Sequence, residues 1–253
     1  MSPMAMSLIA FVCIFAGALL GMFLRSRMPG HHLSGDTKEV VRLGTGLIGT
    51  IAALVLGLLI ASANNTYETQ SSQVKQLTAN IVLLDATLAQ YGSETRSIRK
   101  LLREFVPSLA DRIWREKHFA SGKVEPFEAS AAAVSLYDDI LKLSPQTDAQ
   151  RSLRGRAIDV TTDLGKTRLL LFTKAGGSIP MPFLVVLVSW LTIIFASFSL
   201  FADNNATTIA ALCVFAVSAA ASIFLILELS QPFTGLMMIS SEPLRNGLAP
   251  LGP

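Results

Sequence analysis

The chain has 253 residues, 51% of them hydrophobic and 15% charged, with a net charge of +3. Soluble domains carry about a quarter charged residues, so an apolar excess gathered into blocks excludes an ordinary soluble globule and points to a membrane protein. The basic residues are interleaved with acidic ones and form no dense run, which gives no basis for nucleic-acid binding.

A bilayer core takes about 20 apolar helical residues. Four blocks meet that length: residues 7–24, 43–63, 183–202 and 207–227. The expected fold is all-α, with four transmembrane helices and a soluble helical bundle inserted between the second and third. It divides into a first transmembrane pair (1–63), the insert (64–179), and a second pair with a C-terminal tail (180–253). The first block is read as an uncleaved span, because the residues before it carry no Lys or Arg and the bases, Arg25 and Arg27, follow it. The loop after this span also holds Lys38 and Arg42. The excess of bases places that loop in the cytoplasm, with the N-terminus and insert outside. Lys166, Arg168 and Lys174, on the insert side of the third span, vote the other way.

In the second block Thr45, Gly49, Ala53, Gly57 and Ala61 recur every four residues. Small side chains at that spacing let helix backbones approach closely in a membrane. The helix is therefore expected to lie against protein, in its own chain or in a second copy. It ends at Asn64 and Asn65, whose amides are candidates for an aqueous mouth or for interfacial caps.

Beyond residue 64, Val74, Leu77, Ile81, Leu84, Leu88 and Tyr91 form a three-four seam. This seam continues the second span into water as one long helix. Ile98, Leu101, Leu102 and Phe105 mark a second insert helix, which Pro107 is expected to kink or restart. Gly122-Lys123 reads as a turn. A third helix covers residues 126–141 with Phe127, Val134 and Ile140 on its apolar face. Ser144-Pro145 is read as the start of a fourth, carrying Leu153, Ala157, Val160 and Leu164 and closing at Gly176-Gly177. No period-two run is present, so no sheet is expected.

The sequence carries no phosphate-binding glycine loop and no HExxH. Two S-x-x-K matches, Ser72 to Lys75 and Ser97 to Lys100, lack the companion motifs of an acyl enzyme. His31, His32 and His118 are too few for a typical metal site, and Cys13 and Cys213, both in apolar blocks, exclude a disulfide framework. No catalytic residue, metal or cofactor is expected. Three acids stand out. Asp85 beside the seam is read as a solvated flank, and Asp203 between the last two spans as a helix N-cap. Glu228 closes the apolar run of the fourth span, where a carboxylate is expensive unless paired or hydrated, and is a candidate polar contact.

Two stretches carry a family resemblance. One is LGTGLIGTIAALVLGLLIASANNTYETQ, in and after the second block. The other is the tail, with Glu228, Pro232, Phe233 and Gly235 followed by Glu242-Pro243-Leu244. Together they resemble bacterial membrane proteins described as bestrophin-like, along nearly the whole chain, and more distantly the bestrophins. The latter resemblance implies a homo-oligomeric ion channel, a pentamer, with the second span lining the axis and the insert in the cytosol. An acidic calcium clasp follows the proline-phenylalanine element in bestrophins. Here Thr234, Gly235 and Leu236 stand in its place, so calcium gating is not expected. The alternative function is a non-conducting scaffold or sensor in the bacterial inner membrane, whose insert binds a protein partner along the Val74–Leu88 seam. In either case the lipid bilayer is the surrounding medium.

Overall fold

The structure is a computed structural model that describes residues 2–28, 35–119, 131–173 and 179–247. Among the described residues every regular element is helical: α1 (Pro3–Arg27), α2 (Gly35–Tyr91), a 3-10 turn (Ser93–Thr95), α3 (Arg96–Phe119), α4 (Ala131–Lys142), α5 (Asp148–Thr173), α6 (Met181–Phe201), α7 (Ala206–Leu229) and α8 (Glu242–Asn246). The chain forms two units, Met1–Thr66 with Ser178–Ser230, and Tyr67–Gly177 with Gln231–Pro253. The four blocks read as spans all lie in helices long and apolar enough to cross a bilayer: α1, α2, α6 and α7.

In the first unit α1 opens with Pro3 at its first position and the Ser2 hydroxyl accepting from the Ala5 amide at 3.3 Å. This satisfies one of the free amides that every helix start leaves. Its buried face, Ala10, Ile14, Gly17, Ala18, Gly21 and Met22, packs against α6 and α7. The approach to α6 is close. A Cβ on Gly17 would stand 2.6 Å from Thr192 Cγ2 and 2.9 Å from its carbonyl oxygen, and one on Gly21 would stand 2.5 Å from Ser199 Oγ. At Asn205 the side chain caps α7 by accepting from the Thr208 amide at 2.7 Å. The cap expected at Asp203 is therefore wrong by two residues. Asp203 instead accepts from Arg25 at 2.7 Å, tying the end of α1 to the α6–α7 turn.

The second unit is built around the heptad-like seam. Val74, Leu77, Ile81, Leu84 and Leu88 are all buried, and they share a core with Ile98, Leu102, Val106 and Leu109 of α3, Leu136 and Ile140 of α4, and Ala157 and Val160 of α5. A seam enclosed in this way is not available as a partner surface, which removes the support it lent to the scaffold reading. α3 does not stop at Pro107 but continues to Phe119. The proline sits on the exposed face, where water can take the carbonyl that loses its amide partner. Val134 is 49% exposed rather than on the apolar face of α4, which is formed by Leu136 and Ile140.

The helix expected at Ser144 starts later, at Asp148. Thr147 is the cap: its hydroxyl accepts from the Gln150 amide at 3.1 Å, and the Gln150 side chain accepts from the Gln146 amide at 2.8 Å. Together these two bonds outweigh the Ser-Pro signal. His31-His32, Gly122-Lys123, Phe127 and Gly176-Gly177 lie outside the described residues, as does the side chain of His118.

Candidate functional site

The small-residue stripe on the second span divides when placed on α2. Thr45 is buried, Gly49 is half-buried, and Ala53, Gly57 and Ala61 are exposed. Helix geometry accounts for the split. A four-residue step overshoots one turn by about 40°, so four steps carry the stripe roughly 160° around the axis. Its first members face the rest of the unit, where a Cβ on Gly49 would touch Ile194 at 4.0 Å. Its last members face away, and among the described residues nothing lies within 4 Å of a Cβ on Gly57.

The face of α2 that packs is marked by Thr45, Ala52 and Ala63, all buried. The opposite face presents Leu43, Leu47, Leu54 and Leu58, each at least 63% exposed. Ala61 and Asn65 continue this exposed face at three-four spacing. Only 11% of the apolar window of α2 is buried, against 28–33% for α1, α6 and α7. The expectation that α2 is covered by protein therefore fails within a single chain. Asn64 and Asn65 are both exposed at the end of the apolar stretch.

Glu228 is a different kind of residue. It is 3% exposed in the last turn of α7, between the buried Leu227 and Leu229. The structure thus separates the three polar candidates into two exposed amides on α2 and one buried acid on α7.

The tail motif has a structural explanation. Phe233 is buried in the core of the second unit, with its ring edge-on to Trp114 at a centroid distance of 5.5 Å. The Pro232 carbonyl accepts from the Ile239 amide at 2.7 Å, and the Ile239 carbonyl accepts from the Trp114 indole at 2.8 Å. Gly235, between them, has φ 88°, a left-handed conformation that glycine adopts without the cost imposed by a side chain. Arg245 of α8 then pairs with Asp111 of α3 at 2.5 Å. Proline, phenylalanine and glycine in this order fold the tail back onto α3.

The sequence reading missed one site. Asp85 is not a solvated flank: it is 1% exposed and held bidentately by Arg99, with Nε on Oδ1 and Nη2 on Oδ2, both at 2.9 Å. Arg103 stands 3.7 Å from the same carboxylate. Donating to the Asp85 carboxylate raises the Arg99 pKa above its ordinary value, against the opposing effect of burial. The hint lay in the seam itself, since an acid at a three-four flank needs a base from the next helix, and α3 supplies Arg99 and Arg103. Among the described residues no three His, Cys, Asp or Glu side chains gather as they would around a metal ion. The S-x-x-K residues Ser72, Lys75, Ser97 and Lys100 are all exposed.

Four apolar helices, a helical bundle continuing one of them, and a tail folded onto that bundle define a multi-pass α-helical membrane protein. The chain belongs to the Bestrophin-like domain family, whose model matches residues 12–244. Solved structures of a bacterial bestrophin homolog from Klebsiella pneumoniae share the fold. A variant with a tryptophan-to-alanine mutation superposes with a TM-score of 0.71 at 14% identity, covering 98% of each chain. A variant with a tyrosine-to-alanine mutation gives 0.70 at 14% identity over 95% of this chain and 97% of the other. The structure phased with zinc gives 0.67 at 14% identity over 96% and 97%. No curated protein matches the chain.

Proposed function

We propose that the protein assembles with copies of itself into an ion channel, with α2 lining the shared axis. The observation that carries this reading is the uncovered face of α2. Its own chain buries 11% of the apolar window, and Ala53, Gly57 and Ala61 stand open where a second backbone could approach. Family membership and the match to bestrophin homolog structures support the same reading. In the assembly the leucine face of α2 lines or flanks the path. Asn64 and Asn65 offer amide dipoles where the apolar stretch ends, the kind of polar contact that receives a partly dehydrated ion. Glu228, the buried acid in the last turn of α7, is the third candidate, and a carboxylate repeated around an axis favours cations. The fivefold count rests on the resemblance alone.

Ion flux through the purified protein in liposomes tests the reading, with Glu228→Ala and Asn65→Ala beside it. Flux by the unaltered protein, with rate or ion preference changed by either substitution, is the expected result. Absence of flux across a range of voltage, pH and calcium, or a monomer in mild detergent, would overturn it.

A further inference from the structure

Helices α6 and α7 leave a groove of about 530 Å³ between them, lined entirely by residues of the membrane-spanning unit. Its floor is Phe195 and Leu212, 7% and 6% exposed, which belong to the core of that unit. Its lips are the rings of Phe198 and Phe215, 56% and 59% exposed. Ala211, small and half-buried, gives the groove its depth. The volume is that of a small-molecule site, about 300–1,000 Å³.

Polarity and length identify the occupant. Asn205, Thr207 and Thr208 line the groove at the α6–α7 turn, and the aromatic part follows. The Asn205 Oδ1 is committed to the Thr208 amide at 2.7 Å, so its Nδ2 is the atom left to donate. The positive end of the α7 dipole lies beside it. Arg25 reaches the same turn through Asp203, whose carbonyl accepts from the Asn205 amide at 3.0 Å. Arg27, with its guanidinium over the Phe23 ring at 5.0 Å, is a second base at that end of α1. Two bases against one acid leave a surplus of positive charge where the groove is polar, a setting that attracts lipid headgroups. The charged Arg25–Asp203 pair also marks this turn as headgroup level, because charge is expensive deeper in the bilayer. Phe215 lies nine residues beyond Ala206, the first of α7, or about 14 Å along the helix. The hydrocarbon core of one leaflet is about 15 Å deep, half of the bilayer core. The groove thus runs the depth of one leaflet, with donors at the headgroups and rings at the acyl chains. An apolar helix of a second copy would offer those donors no phosphate.

We propose that this groove holds one phospholipid of the surrounding bilayer, with its phosphate at Asn205, Thr207 and Arg25 and one acyl chain between Phe198 and Phe215. The site belongs to a single chain and does not depend on conduction.

The test uses the full-length protein in mild detergent, titrated with phosphatidylglycerol that carries a dibrominated acyl chain. Fluorescence of Phe215→Trp reports from the groove, and that of Leu20→Trp from a position on α1 that is 56% exposed. The signal of the native Trp114 and Trp190 is subtracted. A bound lipid predicts quenching at Phe215→Trp that saturates at one lipid per chain, while quenching at Leu20→Trp rises in proportion to the lipid mole fraction. Adding Ala211→Leu should fill the groove and abolish the saturable phase, with the unfolding temperature showing that the variant is intact. Adding Thr207→Val, which removes one donor, should raise the half-saturating lipid fraction about 2–10-fold. Proportional quenching at both positions would overturn the proposal. So would a dibrominated diacylglycerol, which lacks the phosphate, saturating the groove at the same mole fraction. So would a Phe215→Trp signal that lipid quenches only after the protein is dissociated to monomers, which would assign the groove to a second copy.

Discussion

In the unit that crosses the membrane, α1 meets α6 through Gly17 and Gly21, at positions where any side chain would collide with Thr192, Ala196 or Ser199. In the insert unit, Leu77, Leu84, Leu88, Leu102 and Ile113 are fully buried around helices that also enclose the Asp85–Arg99 pair. The difference follows from the solvent. Lipid tails solvate leucine as well as a protein core does, so helices in a membrane gain from close backbone approach. Water does not, so helices in water gain from burying large side chains. Small-residue stripes and large-residue seams are therefore the two dialects in which one chain writes its contacts. In the proposed assembly, the open half of the α2 stripe is where a second copy packs.

The largest expected effect lies in the insert unit. Arg99→Met leaves Asp85 buried with only Arg103 nearby, and should destabilise the unit by about 3 kcal/mol, at the low end for a broken buried pair. Thermal unfolding in detergent measures it. The double substitution Asp85→Leu with Arg99→Met should recover most of the loss, because it removes the stranded charge.

The membrane unit gives the sharper contrast. Gly21→Val places its side chain against the α6 backbone and should cost about 1–3 kcal/mol. A Cβ on Gly57 has nothing within 4 Å among the described residues, so the thermal stability of Gly57→Val as a monomer should stay within about 0.5 kcal/mol. Its oligomer, measured by mass in mild detergent, should be lost or reduced. Equal effects of the two substitutions on monomer stability would erase the distinction between a used and an open stripe.

Smaller effects test the edges of the insert unit. Trp114→Phe keeps the ring beside Phe233 but loses the bond to Ile239, for about 0.5–1.5 kcal/mol. Hydrogen exchange at the Ile239 amide would show whether the tail loosens. Tyr91 is buried and its hydroxyl has no hydrogen-bond partner among the described residues, so Tyr91→Phe should stabilise by up to about 1 kcal/mol. Burial, then Glu94, raises the phenol pKa above its ordinary 10.0. The neutral phenol is the favoured folded form. Its contribution is therefore whole below pH 10 and declines as pH rises through the folded pKa, a decline that the phenylalanine variant should lack.

Much of this fold could be read from the chain. The charge-free blocks located the spans, and the Val74–Leu88 spacing carried α2 past the membrane as one helix. Contacts between distant residues could not be read. Asp85 takes its partner from the next helix, and Trp114 takes Ile239 from 125 residues away. The short Gly17–Gly21 step repeats only once and so forms no pattern in the sequence, yet it makes the close approach. The longer α2 stripe is conspicuous in the sequence by its repetition, and that repetition is what turns its end away from its own unit. Burial of Glu228 was foreshadowed by its leucine neighbours, whereas the role of Gly235 depended on a backbone angle that residue identity alone does not fix.

The central claim is that the open face of α2 lines a conducting path. Cysteine modification during flux tests it most directly. In a background lacking Cys13 and Cys213, Leu54→Cys and Asn65→Cys on α2 are compared with Leu20→Cys, an exposed position on α1, each treated with a charged thiol reagent in conducting liposomes. Flux that falls on modification of the α2 sites and is indifferent at Leu20 is the predicted result. Flux that ignores modification of α2 would contradict the account.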